Sequence, residues 1–445
     1  MVKTKDDNMK NYLNKTIECE CGRDHEIPIK EIIIEEKAFL KIPDVVNKLT
    51  SAEKIYLICD KNTYKAAGNE IEDILKDADY KVELIKLEEE KIIPSPEFLF
   101  KIMEKIESEG YLIACGSGTI NDLTRYLSYK LDRPYLVAAT APSMDGYASS
   151  VSSITVDGVK KTYRVNPPEA IIADLSVLKD APWELIQAGF GDLLGKVTSL
   201  MDWKLSKIIF DEYYCQFAVK MVEQELEKIF EVGSDLKNRD IESIEVLIRG
   251  LVGSGLAMLM IGSSRPASGS EHHISHFLEM YGLLYDKEIP PHGVKVGIGT
   301  YFSSLFYLGI EQLNFENIIL SYSKEKRIKE IKKNYKDRAR PVLKNLEERW
   351  EQEKITDTLI KEKESEIKDL IKNNKKKLKM VSTHLKNTGI LEREDVKNLK
   401  QDWIKKALNY GFEIRTRYTI TTFLKQAGFL RSFSEETLQK FKSEL

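Results

Sequence analysis

From about residue 53 to residue 178, short β-branched, apolar runs alternate with amphipathic stretches, and no other feature of the sequence limits its fold so tightly. Such alternation builds βα units around a parallel sheet, because parallel strands need a crossover between them. Strands are expected at 55–59, 82–87, 112–115, 136–138 and 170–173, with helices at 97–106 and 119–131. After about Pro182 the strand signal stops. Helical periodicity then runs nearly to Leu445, broken by loops near 262–269 and 286–293. The expectation is an open α/β sheet over 1–182, with an N-terminal hairpin extension, followed by an all-α domain over 183–445. A chain of 445 residues exceeds what one hydrophobic core usually serves, which agrees with two domains.

Composition narrows the class. A hydrophobic fraction of 42% and a charged fraction of 31% are those of a soluble globular protein, and no apolar run approaches the ~18 to 20 residues of a membrane span. The first 15 residues are charged and Asn-rich and lack a secretory signal, so a cytoplasmic location is expected. Five scattered cysteines, an odd number, fit reduced thiols with no disulfide. A net charge of -3 gives no broad positive field, so nucleic acid is not an expected partner. The charge run 373–379 reads as a solvated helix face, and the tail from about Ile360 as structural.

Three groups of residues carry chemistry. Gly116-Ser117-Gly118-Thr119-Ile120-Asn121-Asp122 follows an expected strand and opens a helix. Small residues there let backbone amides approach a pyrophosphate, although Asn121 stands where a dinucleotide fingerprint has its third glycine, and a plain tight βα turn gives the same pattern. Asp60 ends the strand 55–59, where a carboxylate can bond a ribose 2′-hydroxyl and repel a 2′-phosphate, which favours NAD over NADP. It can equally cap the next helix. The third group is Glu271-His272-His273-Ile274-Ser275-His276 with His292 and Asp192. Four of the six histidines fall between 272 and 292, and His272 and His276 share a helix face. Two imidazoles and one carboxylate make a three-ligand metal site with an open position, the catalytic pattern. Against this, Asp192 and Lys196 have the spacing of an ordinary i,i+4 ion pair.

Cys19-Glu20-Cys21-Gly22-Arg23-Asp24-His25 offers three soft ligands in a spacing unlike common zinc modules, with no fourth nearby. A β-turn in a short hairpin is the favoured reading.

Segment 116–122, the loop 139–146, the segment 167–175, Gly191-Asp192, and 264–272 through His292-Gly293 together resemble sn-glycerol-1-phosphate dehydrogenases, most of all their bacterial branch. These belong with iron-containing alcohol dehydrogenases, glycerol dehydrogenase and dehydroquinate synthase. The resemblance spans roughly 19–430 and implies a Rossmann-like domain beside a helical domain, with the active site in the cleft between them. It implies Asp192, His272 and His292 as metal ligands and His276 as a second pocket histidine. His273 is a neighbouring imidazole that competes for the ligand position; His272 is kept because it follows Ser270-Glu271. Gly116, Ser117, Gly118, Thr119 and Asp122 match the pyrophosphate loop, Thr140 and Ser143 the nicotinamide side, and Asp145 a substrate-contacting carboxylate.

The implied reaction is reversible NAD(P)H-dependent reduction of dihydroxyacetone phosphate, with NAD(H) preferred and NADP(H) admitted, and with zinc or nickel ahead of iron. Asp145 and His276 are the candidates for proton delivery. Arg265, Lys160 or Lys161 is expected on the substrate phosphate, with Ser263, Ser264 and Ser268 as further donors, and Arg265 can equally be pinned to a helix C-terminus. A homodimer or higher homo-oligomer in phospholipid metabolism is the expected setting. Alternatives are a polyol dehydrogenase such as one for glycerol, a dehydroquinate-synthase-like lyase, which Asp192 and Ser270-Glu271-His272 argue against, and a non-catalytic interaction protein.

Overall fold

The computed structural model describes residues 9–156, 159–321 and 323–445. The chain divides into two compact units, Met1–Gly189 with Lys220–Ser264, and Phe190–Val219 with Arg265–Leu445. The expected domains at 1–182 and 183–445 follow chain order, whereas these units interleave.

Among the described residues of the first unit ten strands form: β1 (Lys15–Ile17), β2 (His25–Ile27), β3 (Glu31–Glu35), β4 (Lys54–Asp60), β5 (Lys81–Leu87), β6 (Tyr111–Gly116), β7 (Tyr135–Ala139), β8 (Val151–Val156), β9 (Val159–Arg164) and β10 (Ala170–Asp174). Six make one parallel sheet in the order β3-β10-β7-β6-β4-β5. All five expected strands are present, each within one residue of its expected ends. The sixth, β3, is a three-isoleucine run at the sheet edge, in register with Ile171–Ala173 of β10. The antiparallel β8–β9 hairpin was not expected, because its half-buried residues carry no continuous apolar run.

Strands β6, β7 and β10 are buried at every position, as parallel strands covered on both faces must be. On one face Leu57, Ile113, Leu136 and Ile172 pack with Val45 and Val46 of the helix Ile42–Leu49 and with Ile71 and Leu75 of the helix Asn69–Asp77. The chain passes from β4 to β5 on one side and then returns to β6 on the other side. That reversal opens a crevice at the carboxyl ends of β4 and β6.

The 21-residue helix Ile241–Ile261 is long and apolar enough to cross a membrane by length and composition. Its apolar stretch is 72% buried, and it packs on β2, β3 and the turn Leu175–Leu178, so burial inside the unit accounts for its composition.

The second unit shows helices and no strand among the described residues. Its central pair, Ser270–Tyr285 and His292–Ile310, pack along each other, with Lys196–Phe210 and Glu364–Asn387 against them. The run 373–379 lies in the last of these, with Lys375 paired to Glu311 at 2.8 Å.

Candidate metal centre and dinucleotide crevice

Three helices bring Asp192, His272 and His292 together, and glycines let them. A Cβ on Gly191 would stand 2.3 Å from the Gly293 carbonyl oxygen, and one on Gly299 would stand 2.4 Å from that of Glu271. Each contact is backbone on backbone and sits beside a ligand, so the helices touch where Asp192, His292 and His272 leave the chain. One donor atom from each of the three lies within 4.8 Å of the other two.

Carboxylates set the imidazole orientations. His272 Nδ1 is 2.9 Å from Glu271 Oε1, and His292 Nδ1 is 2.7 Å from Glu279 Oε1. A carboxylate accepts, so each Nδ1 carries the proton and each Nε2 keeps its lone pair. The His272 Nε2 faces Asp192 Oδ1 at 3.6 Å. Burial alone would raise the pKa of Asp192; Lys196, His272 and His292 outweigh it and hold it at about 2, so the carboxylate is ionised. Lys196 lies 3.0 Å from Asp192 Oδ1 and is fully buried, so the i,i+4 ion pair coexists with the cluster. A carboxylate, two imidazoles with held tautomers and an open position fit a divalent metal.

His276 stacks on His292 with ring centroids 5.6 Å apart, and its Nδ1 is 3.0 Å from Glu279 Oε2. Burial pushes its pKa down to about 3, against Glu279, so it is neutral near pH 7. Glu279 therefore orients two histidines at once. Its place three residues after His276 was a signal the sequence offered and the reading missed. His273 is buried with no hydrogen-bond partner on either ring nitrogen among the described residues, and it is outside the metal-type clusters. Helix phase turns His272, and not His273, toward Asp192 and His292.

The loop 262–269 differs from expectation. Arg265 Nε donates to Glu212 Oε1 at 2.7 Å, its Nη2 also reaches Glu212, and its Nη1 donates to the Tyr418 carbonyl at 3.1 Å. This guanidinium is already bonded to Glu212 and to the Tyr418 carbonyl, which argues against a phosphate contact by Arg265. The amides that open the metal helix are likewise occupied: Gly269 donates to Glu271 at 2.5 Å and Ser270 to Asp202 at 2.6 Å. Lys160 lies on β9 opposite Thr155, and its side chain is outside the described residues. A different cation stands near the histidines. Arg415 keeps part of its surface open to solvent although packing around its guanidinium lowers its pKa, makes no ion pair among the described residues, and its charge acts on both His276 and Glu279. The segment carrying it is held in place. Arg349 Nη1 donates to the carbonyls of Phe412 and Arg415, and Arg417 Nη1 donates to that of Ser268 at 3.0 Å.

In the first unit, Gly116 ends β6, and a Cβ there would meet Ile120 at 2.6 Å, so the helix Gly118–Leu131 starts hard against its strand. The crevice at the switch point is lined by Asp60, Asn62, Glu89, Glu90, Ile92, Ser117, Thr119 and Ile120. Asp60 Oδ1 accepts from the amides of Asn62 at 2.8 Å and Thr63 at 2.9 Å, while Thr63 Oγ1 accepts from the Asp60 amide. It caps the following helix and also lines the crevice.

The Thr140 amide donates to the Gly116 carbonyl at 3.3 Å, and Thr140 and Ser143 are buried. Asp145 Oδ2 accepts from Ser254 Oγ at 3.1 Å. Arg125, which the sequence reading missed, is buried and donates to Tyr135 Oη, Gly146 O, Tyr147 O and Val151 O, and meets Asp122 at 3.3 Å. It anchors the loop that carries Asp145 onto the helix that carries Asp122.

A parallel sheet with an acidic crevice at its switch point, and a helical unit with an open Asp/His/His set, are the parts of a metal- and nicotinamide-dependent alcohol dehydrogenase. Residues 33–182 match the family described as iron-containing alcohol dehydrogenase. The iron-containing alcohol dehydrogenase of Thermococcus thioreducens has the same fold, with a TM-score of 0.62 at 14% identity over 93% of this chain and 99% of that one. Two curated proteins named glycerol-1-phosphate dehydrogenase [NAD(P)+] are similar in sequence. That of Halalkalibacterium halodurans is 37% identical over 65% of this chain and 74% of its own length, and that of Geobacillus stearothermophilus is 36% identical over 65% and 74%. The chain belongs to the glycerol-1-phosphate dehydrogenase family.

Proposed function

We propose that the chain catalyses the reversible NAD(P)H-dependent reduction of dihydroxyacetone phosphate to sn-glycerol 1-phosphate, with a divalent metal held by Asp192, His272 and His292. The observation that carries this reading is the gathering of ligand atoms of an ionised Asp192, His272 and His292 within 4.8 Å of one another, with the two imidazoles bonded through Nδ1 to Glu271 and Glu279. A metal there supplies Lewis acidity toward the substrate oxygens, and the nicotinamide supplies hydride.

The side chains bind, orient and move protons. Glu279 holds His292 and His276 in register. Neutral His276 is the group offered for proton transfer at the substrate oxygen, with Asp145 as the second candidate. Residues 1–182 bind the cofactor and 183–445 the metal and substrate. Gly116, Ser117, Gly118 and Thr119 receive the pyrophosphate, Asp122 supports that loop, and Thr140 and Ser143 lie on the nicotinamide side. Asp60 with Glu89 and Glu90 makes a negative wall that disfavours a 2′-phosphate, which supports NAD(H) over NADP(H). Imidazole and carboxylate ligands suit zinc or nickel. Arg415 takes the phosphate role in this reading, as a partly exposed cation near His276.

The test is a coupled NADH-oxidation assay on stripped protein reloaded with single metals, comparing dihydroxyacetone phosphate with dihydroxyacetone. A site built to bond a phosphate should reject the unphosphorylated ketone by up to about 10⁴-fold in kcat/KM. Comparable values would move the polyol dehydrogenase reading to first place.

A further inference from the structure

The N-terminal hairpin of the first unit gathers side chains that the dehydrogenase chemistry does not use. Strands β1 and β2 pair antiparallel with Ile17 opposite His25, and residues 18–24 join them. In that connection the Gly22 amide donates to the Cys19 carbonyl at 3.0 Å, with Gly22 at φ +82°, a left-handed position that favours glycine. The expected β-turn is therefore present, and it folds both thiols back onto His25. Ligand atoms of Cys19, Cys21 and His25 lie within 4.8 Å of one another, and Cys21 Sγ is 3.3 Å from His25 Nε2.

His25 is only 1% exposed, and its Nδ1 is 3.0 Å from the Met260 carbonyl, 235 residues along the chain. Met260 is in the last turn of the helix Ile241–Ile261, where carbonyls have no helical partner. A carbonyl only accepts. The proton is therefore on Nδ1, and Nε2 turns its lone pair toward the thiols. Metal-binding histidines are held in the same way, with one ring nitrogen bonded to the backbone and the other presented to the ion. A histidine that merely capped the helix would account for the Nδ1 bond but not for two cysteines gathered at Nε2.

We propose that Cys19, Cys21 and His25 bind a thiophilic divalent cation, zinc by preference, as a structural site additional to Asp192, His272 and His292. Two thiolates and an imidazole are zinc ligands, and binding releases the two thiol protons. Three protein ligands leave one tetrahedral position for a further donor from the chain or from solvent. The function is mechanical: the ion fastens the hairpin, through His25, to the end of the helix Ile241–Ile261, joining segments far apart in sequence within one unit.

The Asp192 cluster contains no sulfur, so sulfur signals report this site alone. The full chain, purified under reducing conditions and reloaded with zinc, should show X-ray absorption scattering from two or more sulfurs at about 2.3 Å. Its cobalt(II) form should show thiolate-to-cobalt charge-transfer absorption. Elemental analysis should find roughly one equivalent of zinc fewer in Cys19→Ser/Cys21→Ser, whereas His292→Ala should keep the thiolate band. Absence of sulfur scattering and of the thiolate band from the wild-type protein overturns the proposal, as does undiminished zinc in the double variant. Because the spectra are taken on the wild type, misfolding of the variant cannot mask the outcome. Loss of the thiolate site with normal dihydroxyacetone phosphate reduction, or the converse, separates this proposal from the reading of the catalytic centre.

Discussion

At the scale of single residues, the metal centre depends on groups that cannot be exchanged. His292→Ala removes a ligand and leaves Glu279 without one of its two imidazoles, so it should hold little metal at the Asp192 site and lose at least about 100-fold in turnover. Full occupancy of that site with normal turnover would falsify the ligand assignment. Asp60→Gly should reduce the preference for NADH over NADPH, since it takes one carboxylate from a wall that also holds Glu89 and Glu90. It also removes a helix cap, which costs about 1 kcal/mol, so cofactor specificity ratios rather than activities decide the matter. An unchanged ratio would remove Asp60 from the ribose. For Arg415→Met the expected result is a KM for dihydroxyacetone phosphate raised about tenfold to 100-fold, with dihydroxyacetone unaffected. Equal effects on both ketones would argue that Arg415 does not meet the phosphate.

At the scale of elements, the site exists because helices approach at glycines. Gly191→Ala places a methyl group 2.3 Å from the Gly293 carbonyl oxygen, and no rotamer relieves a clash with backbone. The helices bearing Asp192 and His292 must separate. Metal affinity should fall by at least about tenfold while far-UV circular dichroism stays near wild type. Titration with zinc or nickel checks this, and unaltered affinity would show that the contact is slack. The 411–418 segment is held by a different device. Glu413 is buried between Arg327, at 2.7 and 2.9 Å, and Arg349, and these two cations keep its carboxyl ionised although burial opposes it. Two guanidiniums on one buried carboxylate anchor the stretch that presents Arg415.

At the scale of the whole molecule, stability should depend on pH through buried imidazoles. Burial pushes His273 well below 6.5 and His276 to about 3, whereas unfolded histidine binds its proton near 6.5. Between these values the unfolded chain holds more protons, so stability is lost as pH falls from about 6.5. Asp202 has the opposite sign. Burial and Glu271 raise it to about 6, so it contributes a cost that grows as pH rises from about 3.8 to about 6. Asp192, held at about 2, adds stability that is lost only below its unfolded value of 3.8. In metal-free protein, His273→Phe should therefore flatten the fall of Tm between about pH 7 and about pH 4. Parallel curves for variant and wild type would exclude His273 as a source of the acid limb.

Local sequence determined the elements that repeat with a short period: the βα alternation, five strands within a residue of their ends, the helical second half, and the four histidines gathered between 272 and 292. These follow from rules that act over a few residues, namely apolar periodicity, capping and the steric needs of glycine. Tertiary structure decided the partners. That Arg265 belongs to Glu212, that Arg415 from the tail stands near His276, and that His25 bonds a carbonyl 235 residues away are set by contacts between distant segments. No local pattern encodes such contacts. They exist only once packing has fixed which faces meet, because a side chain's charge and hydrogen bonds are satisfied by whatever the fold brings within about 3 Å.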